Sequence, residues 1–522
     1  MIVRNFSKNH NFVNMSKVNL DALIPREDFK DNSTVDEVSF KKNDFSITDI
    51  ESFTASYLRK PDFQRETNEW DKEKIADFID SFLSGDLIPA IILWKARNGL
   101  LFVIDGSHRL SALIAWVKND YGDGELSKRF YDSKIPEEQI EIAEETRKFI
   151  RKKIGLYSDY KLALTNPEKV DPQILQKVKN LASIGIQLQW VSGDDKKAEN
   201  SFININQKSS PIDPTELKLI KGRERANCIS ARAIIKSGTG HKYWSNFSDE
   251  TQQTIQTLAK DVYDILFLPK LKTPIKTLDT PIGGPTFKAQ TLPLVFEFVN
   301  ISNKLSDKEQ LVNDTTGEET IKYLKNTLKV ARRINAEHQS SLGLHPVVYF
   351  YSQQGRHKPA SFYAITALMK DLDEKDGWGD FVEVRENFEK FVLENDDLVS
   401  QITRKKRSGT DAYSDVKDFF LKVIELLNNK QNDILGEILK IKKFNYLKVN
   451  DQEKELSTNT ERKSSVFLKE ALSGCPKCKI CNGYLHTNSI SMDHKVRKRD
   501  GGGDNADNLQ LTHPYCNSTV KS

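Results

Sequence analysis

The chain has 522 residues, room for about three domains of roughly 150 residues, so neither disulfides nor metals are needed merely to make up for a small core. Hydrophobic residues make up 38% and charged residues 29%, and 27 Phe, 15 Tyr and 6 Trp are available for packing, which excludes a disordered chain. Net charge is only +4, no run approaches the ~20 apolar residues of a membrane helix, and the N-terminus (MIVRNFSKNHNFVNM) lacks the apolar centre of a signal peptide; a cytoplasmic protein with no membrane partner is expected.

Residues 1–45, rich in Asn, Ser and Lys, read as an N-terminal arm or a short strand and helix rather than part of a core. Asp71 can cap a helix whose apolar residues Ile75, Phe78, Ile79, Phe82 and Leu83 recur at helical spacing until Gly85 and Pro89 stop it. Ile91–Trp94 and Leu100–Ile104 read as strands joined through Asn98-Gly99. The second strand runs into Asp105-Gly106-Ser107-His108-Arg109, and Leu110–Val117 reads as a buried helix. After a charged helical insertion at 125–180, Ile186–Val191 alternates like a strand. A helix then leads to Phe202-Ile203-Asn204-Ile205-Asn206 and a turn at Gln207-Lys208-Ser209-Ser210, and Asp213, Pro214 and Glu216 mark the start of another helix. This alternation assigns 46–225 to an α/β or α+β domain.

Residues 226–455 carry mostly helical periodicity, as in Ile321, Leu324, Leu328, Val330 and Ala331, and read as a helical domain with a loop at 280–285. Lys405-Lys406-Arg407 reads as a solvated basic run. Residues 456–522 form a last domain, whose ten Lys/Arg against six Asp/Glu account for the whole excess of the chain.

Four of the five cysteines fall in that last domain, where a cytosolic setting favours metal over disulfides. Cys478-Lys-Ile-Cys481, followed by Asn482-Gly483, has the form of a metal knuckle, and His513-Pro-Tyr-Cys516 supplies a matching pair. Three thiolates and one imidazole make a closed structural zinc site. Cys475-Pro-Lys-Cys478 is a competing pair, and the Gly after Cys481 favours Cys478 with Cys481. Between the pairs lie Asp493-His494, the basic residues Lys495, Arg497, Lys498 and Arg499, then Gly501-Gly502-Gly503 and Asn508-Leu509. A histidine beside a carboxylate can take a proton from water near neutral pH, and His494 can be such a base. The basic strip suits the phosphates of double-stranded DNA.

In order and approximate spacing these elements resemble the HNH endonuclease family over about 475–520. The resemblance implies a ββα-metal fold in which Asp493 and Asn517 hold one divalent ion, Mg2+ or another, while Asn508 holds the loop that orients His494. Asn517 takes the last motif position in place of His, an HNN variant.

Asp105-Gly106-Ser107-His108-Arg109, between a strand and a helix, offers free backbone N–H groups to an anion, with Arg109 to fork onto phosphate oxygens. Together with Pro61-Asp62-Phe63-Gln64-Arg65 and Phe202-x-x-Ile205-Asn206, it resembles the ParB/sulfiredoxin-like nucleotidase domain of GmrSD-type and SspE-type restriction proteins. The resemblance implies that Gln64, Arg65, Asp105, Gly106, His108 and Arg109, with Asn206 nearby, line a pocket for a nucleoside triphosphate such as GTP, whose binding or hydrolysis regulates the nuclease. Phe63 stands for the family's Tyr and Ser107 for its Gln. The expectation is thus an α+β multidomain chain: a ParB/sulfiredoxin-like domain, a helical middle and an HNH domain with a zinc knuckle. Its implied role is a modification-dependent restriction endonuclease acting on modified phage DNA, with homodimerisation left open. The alternatives are a homing nuclease whose N-terminal domain only reads DNA, and a zinc-dependent DNA-binding regulator that does not cut.

Overall fold

The computed structural model describes residues 17–29, 42–64, 67–131, 133, 135, 137–181, 184–209, 214–239, 241–268, 280–282, 291–305, 311–448 and 459–520. The chain divides into two units, one of residues up to 223 with 239–243, the other of 224–238 with 244 onward.

In the first unit six strands, β1 (Arg26–Glu27), β2 (Asp44–Ser46), β3 (Leu58–Pro61), β4 (Ile91–Lys95), β5 (Leu101–Asp105) and β6 (Gly185–Val191), lie in the order β1-β3-β5-β4-β6-β2. β1, β3 and β5 run parallel, β4 returns antiparallel to β5 through the expected hairpin, β6 is parallel to β4, and β2 is antiparallel to β6. Alternation along β4 and β5 separates two cores. Ile91, Leu93, Leu101 and Val103 pack with Ile79, Phe82, Leu113 and Trp116 from the helices Lys72–Ser84 and Ser107–Lys118. Trp94, Phe102 and Ile104 pack on the other face with Phe29, Phe63 and Phe202. Fully burying each such side chain stabilises by about 1.5–3 kcal/mol. The helix Lys72–Ser84 starts where its sequence says, with the Asp71 carboxylate accepting from Lys74 N at 2.9 Å, and ends at Gly85.

Two expectations need correction here. Residues 17–29 do hold a short 3-10 helix, Asp21–Leu23, and the short strand β1, but they belong to the core: Val18, Leu20, Ile24 and Phe29 are buried, β1 pairs with β3, and the buried Asp21 carboxylate accepts from Lys60 Nζ at 2.6 Å, Arg26 Nη2 at 2.9 Å and Thr67 N at 3.1 Å. The charged insertion at 125–180 is helical as expected, with α-helices at Glu125–Phe130, Glu137–Lys153, Tyr157–Thr165 and Pro172–Leu181, which bury Ala143, Ile150 and Tyr160 in the first core. Of the turn expected at Gln207-Lys208-Ser209-Ser210, the first three residues are the end of the helix Asp195–Ser209, because nothing in them breaks a helix, and Ser210 lies outside the described residues. Asp213 lies outside the described residues; the helix it was expected to cap follows at Pro214–Lys221.

The second unit is helical as expected. Its longest members are Asp249–Phe267, Glu318–Ile334, Pro359–Lys375, Trp378–Glu394 and Gly409–Asn428. Lys405 and Lys406 close the helix Asp396–Lys406; Lys405 lies over the Tyr446 ring at 3.4 Å and Lys406 pairs with Asp415 at 2.9 Å, so both are engaged within the fold. Of the loop at 280–285, residues 283–285 lie outside the described residues. At the C-terminus β7 (Ser491–His494) and β8 (Leu509–Thr512) form an antiparallel hairpin, followed by a short π-type helix, Cys516–Val520. This terminal module and the helical region share one unit, so the boundary expected at 455/456 does not separate two compact bodies. Among the described residues no helix is long and apolar enough to cross a membrane.

Candidate active site and metal centre

The side chains of Cys478, Cys481, His513 and Cys516 converge, all buried, with their ligand atoms within 4.8 Å of one another. The knuckle forms because Asn482 N donates to Cys478 O and Cys478 N to Gly483 O, both at 2.9 Å. His513 Nε2 lies 3.0 Å from the Tyr484 carbonyl, so the proton belongs on Nε2 and Nδ1 faces the sulfurs, 3.4 Å from Cys481 Sγ and 3.8 Å from Cys516 Sγ. A tetrahedral zinc with bonds of ~2.3 Å to sulfur and ~2.05 Å to nitrogen separates its ligand atoms by about 3.5–3.8 Å, so the cluster fits that ion. Hydrogen bonds from the neighbouring Cys481 and Cys516 thiols hold Cys478 far below the ordinary thiol range, and Cys478 in turn pushes Cys481 up to about 11. A dication would remove that conflict by binding all three as thiolates. Cys475 is not part of the cluster; its thiol donates to the Leu485 carbonyl at 3.1 Å.

The second group lies on the hairpin. In the β7/β8 register Asp493 faces Gln510, whose Nε2 donates to Asp493 Oδ2 at 2.7 Å, and Asp493 is buried. His494 follows at the strand end, with Nε2 2.7 Å from Asp504 Oδ1. Lys498 Nζ donates to the other oxygen of Asp504 at 2.8 Å, and these two hydrogen bonds, Lys498 first, hold the Asp504 carboxyl below its ordinary pKa. Asn508 closes the loop between the strands: its Oδ1 accepts from Val496 N at 2.8 Å, and its Nδ2 donates to Val496 O at 3.0 Å and Gly503 O at 2.8 Å. The adjacent glycines have distinct reasons. Gly501 adopts φ +90°, and a Cβ at Gly502 would overlap the Val496 carbonyl. On the terminal helix, Asn517 Nδ2 donates to Ser491 Oγ at 2.7 Å and to Met492 O at 3.1 Å, which sets its side chain beside the strand that carries Asp493.

The basic strip is only partly displayed for a ligand. Lys495, Lys498 and Arg499 are exposed, yet Lys498 is held by Asp504 and Lys495 Nζ donates to the Asp507 carbonyl at 2.7 Å. Arg497 is half-buried. Asp504 and Gln510 escaped the sequence reading. The only signal for Asp504 was an acidic residue immediately after the glycines, and a strand partner such as Gln510 follows only from register.

In the first unit the expected nucleotide residues gather where β3 and β5, neighbours in parallel, both end. Gln64 follows β3 in a turn closed by Gln64 N donating to Pro61 O at 3.0 Å. Asp105 ends β5, Gly106 takes φ +99°, and the helix begins at Ser107. A Cβ at Gly106 would lie 3.0 Å from both Arg109 Nη2 and Ile91 Cγ1, so the turn admits no side chain. Arg109 Nη2 donates to Asp105 Oδ2 at 2.9 Å and to Ala90 O at 3.2 Å, while its Nε and Gln64 Oε1 are buried with no hydrogen-bond partner among the described residues. The His108 ring stacks on Trp70 with centroids 5.7 Å apart. Phe63 and Phe202, from separate motifs, meet at 5.2 Å. Arg223, absent from the sequence reading, ties them together through Asp62 at 3.3 Å and Glu199 at 3.1 Å. Asn206 lies in the helix Asp195–Ser209; Arg65 and the Asn206 side chain lie outside what is described.

Comparison with known families agrees with this division. Residues 46–222 match the model of the GmrSD restriction endonuclease N-terminal domain, and residues 478–522 match that of the HNH endonuclease. No curated protein and no solved structure matches the chain.

Proposed function

We propose that this chain, a GmrSD N-terminal domain joined to a C-terminal HNH endonuclease domain in the manner of a GmrSD-type restriction enzyme, cuts DNA in a divalent-ion-dependent reaction and serves modification-dependent defence against phage. The observation that carries the reading is His494, held through Nε2 by Asp504, next to Asp493 and behind a loop pinned by Asn508. With the Nε2 proton donated to Asp504, Nδ1 is the nitrogen that takes a proton from the attacking water. Asp493 and the Asn517 amide are oxygen donors that suit a hard dication, and such an ion would offset charge on the leaving oxygen. Lys495, Arg497, Lys498 and Arg499 would contact phosphates along the strand, Lys498 by leaving Asp504. Zinc at Cys478, Cys481, His513 and Cys516 is structural in this reading. Nicking of plasmid DNA with Mg2+ or Mn2+ is the test: His494→Ala should lower it by about 10²–10⁴-fold while zinc and fold persist. Undiminished nicking by that variant would end the nuclease assignment of His494.

The N-terminal domain, in the same proposal, binds a nucleoside triphosphate through Gln64, Arg65, Asp105, Gly106, His108 and Arg109, with Asn206 nearby, and regulates cleavage. What supports it is the placement at the carboxyl ends of parallel strands and at a helix N-terminus, with Arg109 Nε and Gln64 Oε1 buried and lacking hydrogen-bond partners among the described residues. Control by nucleotide requires different affinities for active and resting arrangements. Cleavage of modified against plain phage DNA, with and without GTP or ATP, tests the regulatory part.

A further inference from the structure

Arg385 sits on the helix Trp378–Glu394, outside the segment that matches the nuclease family, and its side chain has 0% exposure. Its Nε donates to Glu389 Oε1 at 2.8 Å, its Nη1 to the Leu342 carbonyl at 2.5 Å and its Nη2 to the Gly343 carbonyl at 3.2 Å. The same Nη1 lies 3.2 Å from His513 Nδ1, the nitrogen that faces the three sulfurs. Glu389 continues the network into the knuckle, its Oε1 accepting from the Tyr349 hydroxyl and its Oε2 from Tyr484 N, both at 2.8 Å. Gly483 packs so closely against the Arg385 side chain that a Cβ there would lie 2.5 Å from Arg385 Nε.

A buried guanidinium is expensive unless anions and acceptors surround it. A zinc ion with three thiolates and a neutral imidazole has one net negative charge, and taken out of water it gains from a nearby cation. We propose that Arg385 is the counter-cation of the Cys478, Cys481, His513 and Cys516 site, and that the helical region and the nuclease module thereby fold as one metal-dependent unit. The proposal rests on the zinc reading of those four residues. It assigns the helical region a role in completing the metal centre.

The test uses the full chain. Zinc content is measured first, then zinc affinity by competition with a chromophoric chelator, and the sulfur-to-metal bands of the cobalt-substituted protein. Arg385→Met, which keeps length and removes charge, should weaken zinc about 10- to 100-fold and shift the cobalt bands. Arg385→Lys should recover most of the affinity. A folded Arg385→Met variant with zinc affinity within about twofold of the parent and unchanged cobalt bands would overturn the proposal, since packing alone would then explain Arg385. Hydrogen exchange on the unmutated chain decides without any variant: chelating zinc should deprotect the helix Trp378–Glu394, and protection there indifferent to zinc would also overturn it. Purified chain that contains no zinc refutes the zinc reading itself, a result distinct from a loaded site that ignores Arg385.

Discussion

Asn508→Ala offers a direct test of how the catalytic loop is held. The substitution removes three hydrogen bonds, one from Val496 N and two to the Val496 and Gly503 carbonyls, at 2.8–3.0 Å. At about 1 kcal/mol net for each bond the upper limit is about 3 kcal/mol, and the solvent around this half-open loop lowers the loss to about 1.5–2 kcal/mol. None of that loss falls on the core or on the zinc ligands; it falls on the segment between Lys495 and Asn508 that sets His494 against Asp504. Converted through roughly 1.4 kcal/mol per tenfold, turnover should drop about 10- to 30-fold. The assay is single-turnover nicking of supercoiled plasmid at saturating Mg2+, beside zinc content and thermal melting, both expected to match the parent. Asn508→Asp keeps the acceptor but loses both donated bonds and should resemble Ala more than Asn. Nicking by Asn508→Ala within about twofold of the parent would refute the reasoning, because the loop would then be ordered by something other than this side chain.

Asp504→Asn retains an acceptor for His494 but not the negative charge, and at this exposed position roughly a tenfold fall in turnover is expected, read from a pH–rate profile. Cys481→Ser should release zinc and melt the terminal module, measured by metal analysis with circular dichroism, whereas Cys475→Ser should leave zinc in place. Arg109→Met should abolish triphosphate binding in calorimetry while leaving the sheet intact, since the hydrogen bonds of Arg109 run to Asp105 beside it and to the Ala90 carbonyl; binding equal to the parent's would remove Arg109 from the pocket.

Much of the first unit could be read locally because its signals are local: Asp71 and Gly85 bracket a helix, and Asn98-Gly99 closes a hairpin. The cluster of Cys478, Cys481, His513 and Cys516 was legible for the same reason, since the members of each pair stand three residues apart. What escaped depends on distance along the chain. β1 is two residues long and exists only because β3 lies beside it, so Asn- and Lys-rich surroundings concealed Val18, Leu20, Ile24 and Phe29 as core residues. Arg385 reads on its own helix as an ordinary pair with Glu389 four residues on; its meeting with His513 across 128 positions has no periodicity to announce it. The Asp504 contact is concealed likewise, because an acidic residue after glycines is what any solvated turn would carry.

Strand β1 bears on how the N-terminal domain can be cut out for separate work. A fragment beginning at residue 46, where the family match begins, would drop β1 and leave β3 as a bare edge open to pairing with other chains. It would also take Asp21 away from the buried Lys60 and from Thr67, a loss of several kcal/mol by the usual penalty for a buried charge deprived of its partner. Such a fragment should precipitate or lose its fold for reasons unrelated to Gln64 or Arg109, and failure to bind a triphosphate in it would say nothing about the proposed pocket. A fragment that keeps residues 17–29 retains both the edge strand and the carboxylate.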